Sequence, residues 1–270
     1  MTTDYLLGSS DKEIQRMRFQ HDVWKGATDG FLDRIGIKPG WRCLDVGAGP
    51  GFTTADLRER VGPDGSVTAV EPSPLFGDHL NATIGKNDWT NVKLVRSTVE
   101  EADLKSETYD LVFVRWVLNF VADRKSFLAK IAKSAKKDGI VAVMDYWYEG
   151  LSVHPRGTPF DRIPDIARAY YRSGGGDAYG IGDMPTILRS HGFELLETAP
   201  LQLSGGSTSE VFRWAMQFFT EHLPLMAEKG IISLAERDAQ LKNFSDLERD
   251  PEMLFFSPIV LACAMRNDGV

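Results

Sequence analysis

The chain has 270 residues, of which 43% are hydrophobic, so it is long enough to bury a substantial core as one domain. Its 31 Lys and Arg residues against 38 Asp and Glu residues give a formal net charge of −7 at pH 7. That balance argues against nucleic acid as a partner, because such binding depends mainly on Lys and Arg contacts with phosphates. The most basic run, Lys130 to Lys137, has the spacing of a solvated helix face.

The remaining composition indicates the compartment. Cys43 and Cys263 lie in apolar strand-like runs, which is typical of small core residues in a reducing environment. The five histidines lack metal-ligand spacing, so we predict no metal site. The first residues lack the features of a signal peptide, and no run approaches the roughly 20 apolar residues that cross a bilayer. We therefore expect a cytoplasmic protein without a membrane partner, and the oligomeric state stays open, with a homodimer as one option.

The first predicted element is a helix. Ser10 and Glu13 have the spacing of a capping box, which is typical of a helix N-terminus. Met17, His21 and Trp24 then recur at helical spacing. The same spacing suggests that His21 is a buried residue on the apolar face of this helix.

From Trp41 onward, short β-rich runs alternate with amphipathic helices. The predicted strands cover 42–46, 66–71, 92–96, 109–114 and 140–146, and the predicted helices between them cover 52–61, 74–84 and 123–136. Strands that alternate with helices in this way predict a parallel sheet covered on both faces.

After residue 148 the regular alternation lapses. Residues 149–180 are rich in glycine and proline and predict a loop-rich insertion around one short helix, IPDIARAYYR. A helix, DMPTILRSHG, and a strand, FELLETAPLQL, then restore the pattern. Two further helices follow, of which EVFRWAMQFFTEHLPLMAEKG is too aromatic to be exposed to water, and the chain ends in the strand region MLFFSPIVLACAMR.

The segment CLDVGAGPGFTTADL, residues 43–57, contains a glycine loop between a predicted strand and a predicted helix. Gly47, Gly49 and Gly51 permit positive φ angles and a close approach of the backbone to a ligand. The N–H groups at the start of the helix add partial positive charge. Taken alone, this loop suits any nucleotide-like ligand.

Three neighbouring residues narrow the ligand class. Phe52 stands where the dinucleotide fingerprint requires glycine, which argues against a nicotinamide dehydrogenase. Asp45, just before the loop, would repel a pyrophosphate but attract an ammonium or sulfonium group. Glu71 ends the second strand, where an acid can accept both ribose hydroxyls. A ribose beside a cation is the outline of S-adenosylmethionine.

The segments LDVGAGPG, VTAVEPS, YDLVFVRWVLNFV and SAKKDGIVAV resemble, in order and spacing, the motifs of class I S-adenosylmethionine-dependent methyltransferases of the small-molecule type. The resemblance covers about residues 35–148 and extends to the closing strands. It implies an α/β, Rossmann-like, doubly wound, mostly parallel seven-stranded sheet whose last strand is antiparallel and pairs as a hairpin with the one before. We expect a single domain over 1–270, with helical caps at 1–35, 149–180 and 205–252 over the active site.

The resemblance also implies S-adenosyl-L-methionine as the cofactor and a set of cofactor-binding residues. This set comprises Asp45, Gly47, Ala48, Gly49, Gly51, Glu71, Pro72, Thr98, Val99, Arg115 and Trp116. The glycine loop would hold the methionine end, Glu71 the ribose, and Pro72 would pack by the adenine. Thr98 departs from the family, because many relatives carry an adenine-binding Asp there, although Val99 N–H can still reach a ring nitrogen.

The sequence does not identify a catalytic residue. One group of related O-methyltransferases carries a catalytic His in a WVLH stretch, where this chain has Asn119, which cannot take a proton. Tyr148 after the fifth strand, His154 in the insertion and His21 on the first helix are the other candidates. Asp145 and Tyr146, at the end of the fifth strand, are further residues that could point at the substrate.

The segments outside the resemblance carry aromatic residues, which are Tyr170, Tyr171, Phe212, Trp214, Phe218 and Phe219. A pocket with aromatic walls suits a small, partly aromatic or apolar organic substrate. We therefore expect methyl transfer to an O or N atom of such a molecule, mainly by proximity and in-line alignment. Two alternatives stay open, which are an RNA or protein methyltransferase and a non-catalytic module that binds S-adenosylmethionine.

Overall fold

A computed structural model describes residues 11–269. The α-helices are α1 (Asp11–Ile35), α2 (Phe52–Val61), α3 (Pro74–Lys86), α4 (Arg124–Ser134), α5 (Ile163–Ser173), α6 (Met184–Arg189), α7 (Glu210–Glu228) and α8 (Leu234–Glu248). The strands are β1 (Arg42–Val46), β2 (Ser66–Val70), β3 (Val92–Val95), β4 (Tyr109–Arg115), β5 (Ala135–Trp147), β6 (Ser152–His154), β7 (Phe193–Leu201), β8 (Ser204–Gly206), β9 (Leu254–Phe256) and β10 (Ile259–Asn267). The capping box predicted at Ser10 lies outside the described residues.

The main sheet has seven strands in the order β3-β2-β1-β4-β5-β10-β7. The pairs β2–β3, β1–β2, β1–β4 and β4–β5 are parallel, whereas β10 is antiparallel to both of its neighbours, β5 and β7. This arrangement confirms the predicted mostly parallel sheet with an antiparallel last strand. The last strand is not joined to β7 by a hairpin turn, because β8, α7, α8 and β9 intervene in the chain.

Both faces of the sheet are covered, as the strand pattern of β4 shows. Leu111 and Phe113 pack with α1 and α2 on one face, whereas Val112 and Val114 pack with α4 and α6 on the other. Successive side chains of a strand point to opposite faces, so a run of apolar residues is expected where both faces are buried. The sequence YDLVFV is such a run.

The predicted helix over 123–136 is shorter in the structure. It begins at its N-cap Asp123, whose carboxylate accepts a hydrogen bond from Ser126 N at 3.0 Å, and it ends at Ser134. Ala135 pairs instead with Tyr109 of β4, so the backbone becomes extended there. The basic run therefore crosses a helix–strand junction and is not one helix face, although Lys133, Lys136 and Lys137 are exposed.

A second, three-stranded sheet has the order β6-β9-β8 and was not predicted from the sequence. Both pairings are antiparallel, and β9 receives β6 on one side and β8 on the other. The sheet joins the insertion after β5 to the segments on either side of α7 and α8. Within residues 11–269, no helix combines the length and apolarity that a membrane span requires.

The helix α1 is held in place by a cluster of three tryptophans. Trp24 has no exposed surface, and its ring makes edge contacts with Trp116 at 6.3 Å and Trp214 at 5.5 Å between centroids. These contacts join α1 to the loop after β4 and to α7. Aromatic pairs in this geometry stabilise beyond their buried area.

A buried polar cluster fixes the same helix to the end of β4. Arg115 Nη1 donates to Thr28 Oγ1 at 3.1 Å, and Arg115 Nη2 donates to His21 Nδ1 at 2.9 Å. A guanidinium can only donate, so His21 accepts at Nδ1 and its imidazole is neutral, with the hydrogen on Nε2. Burial, together with the positive charge of Arg115, lowers the pKa of His21 to about 4. Burial also lowers the pKa of Arg115, to about 10.

Replacing Trp24 with Ala tests the tryptophan cluster. We expect Trp24→Ala to lower the free energy of unfolding by about 3–5 kcal/mol, because a large buried ring leaves a cavity that the surroundings refill only in part. Urea denaturation followed by circular dichroism measures the change. Leu234→Ala is the matched control, since Leu234 is 62% exposed and its truncation should cost less than about 0.5 kcal/mol. Equal effects of the two substitutions would contradict the proposed role of Trp24.

A pH series tests the neutral state of His21. The unfolded chain takes up this proton near pH 6.5 and the native protein only near pH 4, so His21 should reduce stability as the pH falls between these values. In His21→Asn, the amide oxygen can still accept from Arg115 but does not titrate. Between about pH 7 and pH 4.5 the variant should lose about 1 kcal/mol less than the wild type, a figure reduced for solvent screening. His191→Asn, at an exposed position, should follow the wild-type curve.

Candidate active site

A cavity of about 600 Å³ lies where the carboxyl ends of β1, β2, β4 and β5 meet. This is the edge at which open α/β sheets bind ligands. The cavity is lined by Gly47, Ala48, Gly49, Glu71, Pro72, Thr98, Val99, Arg115 and Trp116 from the predicted cofactor-binding set. Asp45 and Gly51 belong to the same set but do not line the cavity.

The glycine loop is confined by its neighbours. Gly47 has a φ of +68°, and a Cβ there would lie 2.4 Å from Val117 Cγ2. Gly51 has a φ of +90°, and its Cβ would lie 2.3 Å from Leu80 Cδ1. Both the backbone conformation and the space therefore require glycine. No side chain caps the first turn of α2, so its N–H groups remain oriented toward the loop and its ligand side.

Asp45 supports the loop from behind. Its side chain is 2% exposed, and its Oδ2 accepts a hydrogen bond from Thr54 Oγ1 of α2 at 2.6 Å. Burial raises the pKa of Asp45 to about 6, and the Thr54 hydrogen bond and the charge of Arg115 oppose this rise. Asp45 therefore ties the end of β1 to α2, and its predicted contact with the methionine end stays a prediction.

Glu71 connects the glycine loop to the start of α3. Its Oε2 accepts from Gly49 N at 2.8 Å, and its Oε1 accepts from Ser73 N at 2.7 Å. The side chain is 6% exposed, and burial raises its pKa above the ordinary value. Each carboxylate oxygen has two lone-pair sites, so both oxygens can still accept a hydroxyl from the cavity.

Trp116 occupies a strained position on the cavity wall. Its φ of +57° is uncommon for a residue with a bulky side chain, and its N–H donates to Met144 O at 2.9 Å. The ring stacks on Tyr146 at 6.2 Å, and the Arg115 guanidinium lies 4.5 Å from the ring centroid. Such backbone strain is concentrated at functional sites. The sequence indicated that Trp116 is near the site but gave no sign of its backbone conformation.

Asn119 and Asp145 form an internal brace and do not line the cavity. Asn119 Nδ2 donates to Tyr146 O at 2.9 Å, and Asn119 N donates to Asp145 Oδ2 at 3.2 Å. The other oxygen of Asp145 accepts from Tyr146 N at 2.8 Å. Both side chains are fully buried, and burial raises the pKa of Asp145 to about 7. These contacts hold the turn after β4 against β5, so the structure corrects the expectation that Asp145 faces the substrate.

The other catalytic candidates occupy different places. Tyr148 lines the cavity, and burial raises the pKa of its hydroxyl well above the ordinary value. His154 lies exposed in β6 and is not part of the cavity wall. His21 also lies outside the lining, and its Nδ1 is occupied by Arg115. Of the four candidates, Tyr148 alone lines the cavity.

The opposite wall comes from α1, α5 and α7. Its residues include Arg16, Met17, Gln20, Tyr171, Trp214, Phe218 and Phe219. The aromatic members from α5 and α7 were expected from the sequence, whereas Arg16, Met17 and Gln20 were not. The signal for two of them is helical spacing, because Arg16 and Gln20 precede the buried Trp24 at intervals of four residues. The role of these helices as a cap stays a prediction.

Comparison with known proteins gives three relevant matches. Residues 44–143 match the family model described as a methyltransferase domain. The arsenite methyltransferase of Halobacterium salinarum is 27% identical over 164 residues, which covers 61% of this chain and 40% of that protein. The ubiquinone/menaquinone biosynthesis C-methyltransferase UbiE of Idiomarina loihiensis is 27% identical over 132 residues, or 47% and 49% of the two chains. The chain thus spans less than half the length of these two relatives.

A solved structure extends the comparison beyond the matched region. The geranyl diphosphate C-methyltransferase of Streptomyces coelicolor A3(2), in complex with S-adenosyl-L-homocysteine, has a TM-score of 0.57 at 14% identity, covering 98% of this chain and 88% of that one. At this identity the similarity shows a shared fold. Residues 44–143 are thus similar to a methyltransferase domain, and the curated relatives that match this part of the chain are methyltransferases.

Proposed function

We propose that the protein transfers a methyl group from S-adenosylmethionine to an oxygen or nitrogen atom of a small organic molecule that is partly aromatic or apolar. One observation carries the proposal. A single cavity joins the glycine loop and Glu71 on one side to a wall of aromatic rings on the other. A cofactor half and an acceptor half in one cavity is the arrangement that transfer between two bound molecules requires.

The cofactor half fits S-adenosylmethionine. Gly47 and Gly49 leave no room for side chains, so the backbone itself forms the floor for the methionine end. Glu71 holds the loop and offers its remaining lone pairs to the ribose hydroxyls. Thr98 and Val99 line the part of the cavity where the adenine would lie. When bound, the cofactor supplies a methyl group that is already activated by a sulfonium.

The acceptor half is aromatic. Trp116 stacks on Tyr146, Tyr146 contacts Tyr148 at 5.6 Å, and Tyr148 contacts Tyr171 at 5.6 Å between centroids. Trp214 and Phe218 of α7 complete this wall. Packed rings exclude water and bind flat or apolar molecules. This supports a small organic acceptor, and the related UbiE protein is likewise named for quinone biosynthesis.

Among the described residues, the cavity lining contains no histidine, and its carboxylates are Glu71, Glu100 and Asp123, of which Asp123 accepts two hydrogen bonds from Ser126 as the N-cap of α4. Glu71 is already hydrogen-bonded to two backbone amides, and burial keeps the Tyr148 hydroxyl protonated at neutral pH. The acceptor atom must therefore be nucleophilic without much help, as an amine or a readily ionised phenol is. Alignment of the reacting atoms then carries most of the catalysis, and such positioning can supply about 7–11 kcal/mol.

Calorimetry with S-adenosylhomocysteine tests the cofactor half. Glu71→Gln should weaken binding about tenfold to a hundredfold, because one oxygen that accepts hydrogen bonds becomes an amide that cannot. The control is Glu101→Gln, because Glu101 is an exposed acid that does not line the cavity. Unchanged affinity in Glu71→Gln would contradict the assignment of Glu71 to the ribose.

Turnover tests the acceptor half. The wild-type protein, incubated with methyl-labelled S-adenosylmethionine and a panel of phenols and aromatic amines, should yield O- or N-methylated products in mass spectrometry. Gly47→Ala should lower the yield at least tenfold, because its Cβ would overlap Val117, while Gly26→Ala should not, since nothing lies within 4 Å of a Cβ there.

Three results would argue against this function. C-methylated products would move the acceptor atom to carbon. Label that enters RNA or protein but never small molecules would indicate a macromolecular substrate. Cofactor binding without turnover across the panel would indicate a non-catalytic module.

A further inference from the structure

The helix α1 presents two different stripes to the cavity. One stripe contains Met17, whose Cε lies 2.9 Å from the place that a Cβ on Gly49 would take. The other stripe contains Arg16, whose Cζ lies 5.7 Å from the centroid of the Phe218 ring on α7. The first stripe therefore contacts the glycine loop, and the second contacts the aromatic wall.

Gln20 lies between these two stripes, three residues after Met17 and four after Arg16, and lines the cavity. It is one helical turn after Arg16 and one turn before Trp24, and Trp24 contacts both Trp116 and Trp214. Its side chain thus faces the cavity beside Arg16, which contacts the Phe218 ring of the aromatic wall. Gln20 is an uncharged polar group, whereas Arg16 and Arg115 on the same lining are charged.

The orientation of the Gln20 carboxamide is determined by Arg16. Arg16 Nη1 donates to Gln20 Oε1 at 2.9 Å, and because a guanidinium has no acceptor, the oxygen must be the atom that faces it. Glu13 holds the same guanidinium through two hydrogen bonds, from Nε at 2.8 Å and from Nη2 at 2.7 Å. Glu13 and Arg16 are both buried, so this chain of contacts is rigid.

The amide nitrogen of Gln20 is consequently directed away from Arg16. Gln20 Nε2 donates to no other residue between 11 and 269, yet it is not among the fully enclosed polar atoms without a partner, such as Trp24 Nε1. Gln20 is only 8% exposed and lines the cavity, so its accessible N–H₂ faces that space. A donor in a fixed orientation is therefore offered to whatever occupies the cavity beside α1.

We propose that Gln20 is a specificity-determining residue that donates a hydrogen bond to an oxygen of the methyl acceptor, so that the site selects aromatic molecules bearing a carbonyl or similar oxygen. The inference rests on the proposed function and deepens it. Aromatic walls alone bind a hydrocarbon and its oxygenated analogue by the same contacts. The two molecules differ in affinity because the hydrocarbon leaves the buried Gln20 donor without a partner, whereas the oxygenated analogue accepts its hydrogen bond.

Acetophenone and cumene form a matched pair of probes, since they differ in a carbonyl oxygen in place of a methyl group. Their dissociation constants are measured by ligand-observed NMR, with and without saturating S-adenosylhomocysteine. The dissociation constant of cumene divided by that of acetophenone should be five- to tenfold lower in Gln20→Leu than in the wild type, because only acetophenone loses a hydrogen bond. Gln20→Glu should lower the same ratio, because its carboxylate can still accept a hydrogen bond from Arg16 but cannot donate one to a carbonyl.

Gln15→Leu is the control, because Gln15 is an exposed residue on the same helix, and it should keep the wild-type ratio. An unchanged ratio in both Gln20 variants would overturn the proposal. So would a tenfold loss of S-adenosylhomocysteine affinity with an unchanged probe ratio, which would assign the donor to the cofactor carboxylate. If the wild type failed to bind S-adenosylhomocysteine, the proposed function would fail, while the probe ratio without it would still decide the role of Gln20.

Discussion

The site depends on one buried carboxylate that serves two backbone amides. Glu71 joins Gly49 of the loop after β1 to Ser73 at the start of α3, and in doing so it sets the distance between two neighbouring strand ends. A buried acid is tolerated only where hydrogen bonds compensate its desolvation, and two backbone N–H groups provide that compensation. The same carboxylate thus shapes the loop and faces the cavity, so the loop geometry and the polar character of the cofactor half arise together.

The acceptor half follows a different principle. Much of its wall comes from α1, α5 and α7, all of which lie outside the residues that match the methyltransferase domain, and Trp116 and Tyr146 add rings from the loop after β4 and from the end of β5. These helices are held by apolar and aromatic contacts, chiefly through Trp24, and by the buried pair of Arg115 and His21. Because the cofactor half consists of backbone groups and one acid, few substitutions there would preserve cofactor binding. A wall made of side chains on added helices can change its occupant by substitution, and this is where we place the specificity of the protein.

Much of this architecture was predictable because the sequence patterns that indicate it are local. Alternating strands and helices predicted the sheet, and Gly47 and Glu71 predicted the sheet edge at which the cavity lies, since glycine loops and strand-end acids are recognised from their immediate neighbours. The three-stranded sheet was missed because its strands have only three residues and pair across long stretches of chain. The brace between Asn119 and Asp145 and the orientation of Gln20 were also missed, because both depend on contacts between segments that the sequence does not bring together.

The chemistry of the wall narrows the acceptor further. Burial raises the pKa of Tyr148, so at neutral pH its hydroxyl is a donor and not a base, and Gln20 offers a second donor through its amide nitrogen. Donors and a nearby cationic cofactor favour the ionised form of a phenol over its neutral form, because both stabilise negative charge in a space that excludes water. The donors and the cofactor charge would then lower the pKa of a bound phenol, so that no side chain would have to act as a base. We therefore propose an oxygen on an aromatic ring as the acceptor atom, because the aromatic wall offers hydrogen-bond donors that stabilise its ionised form.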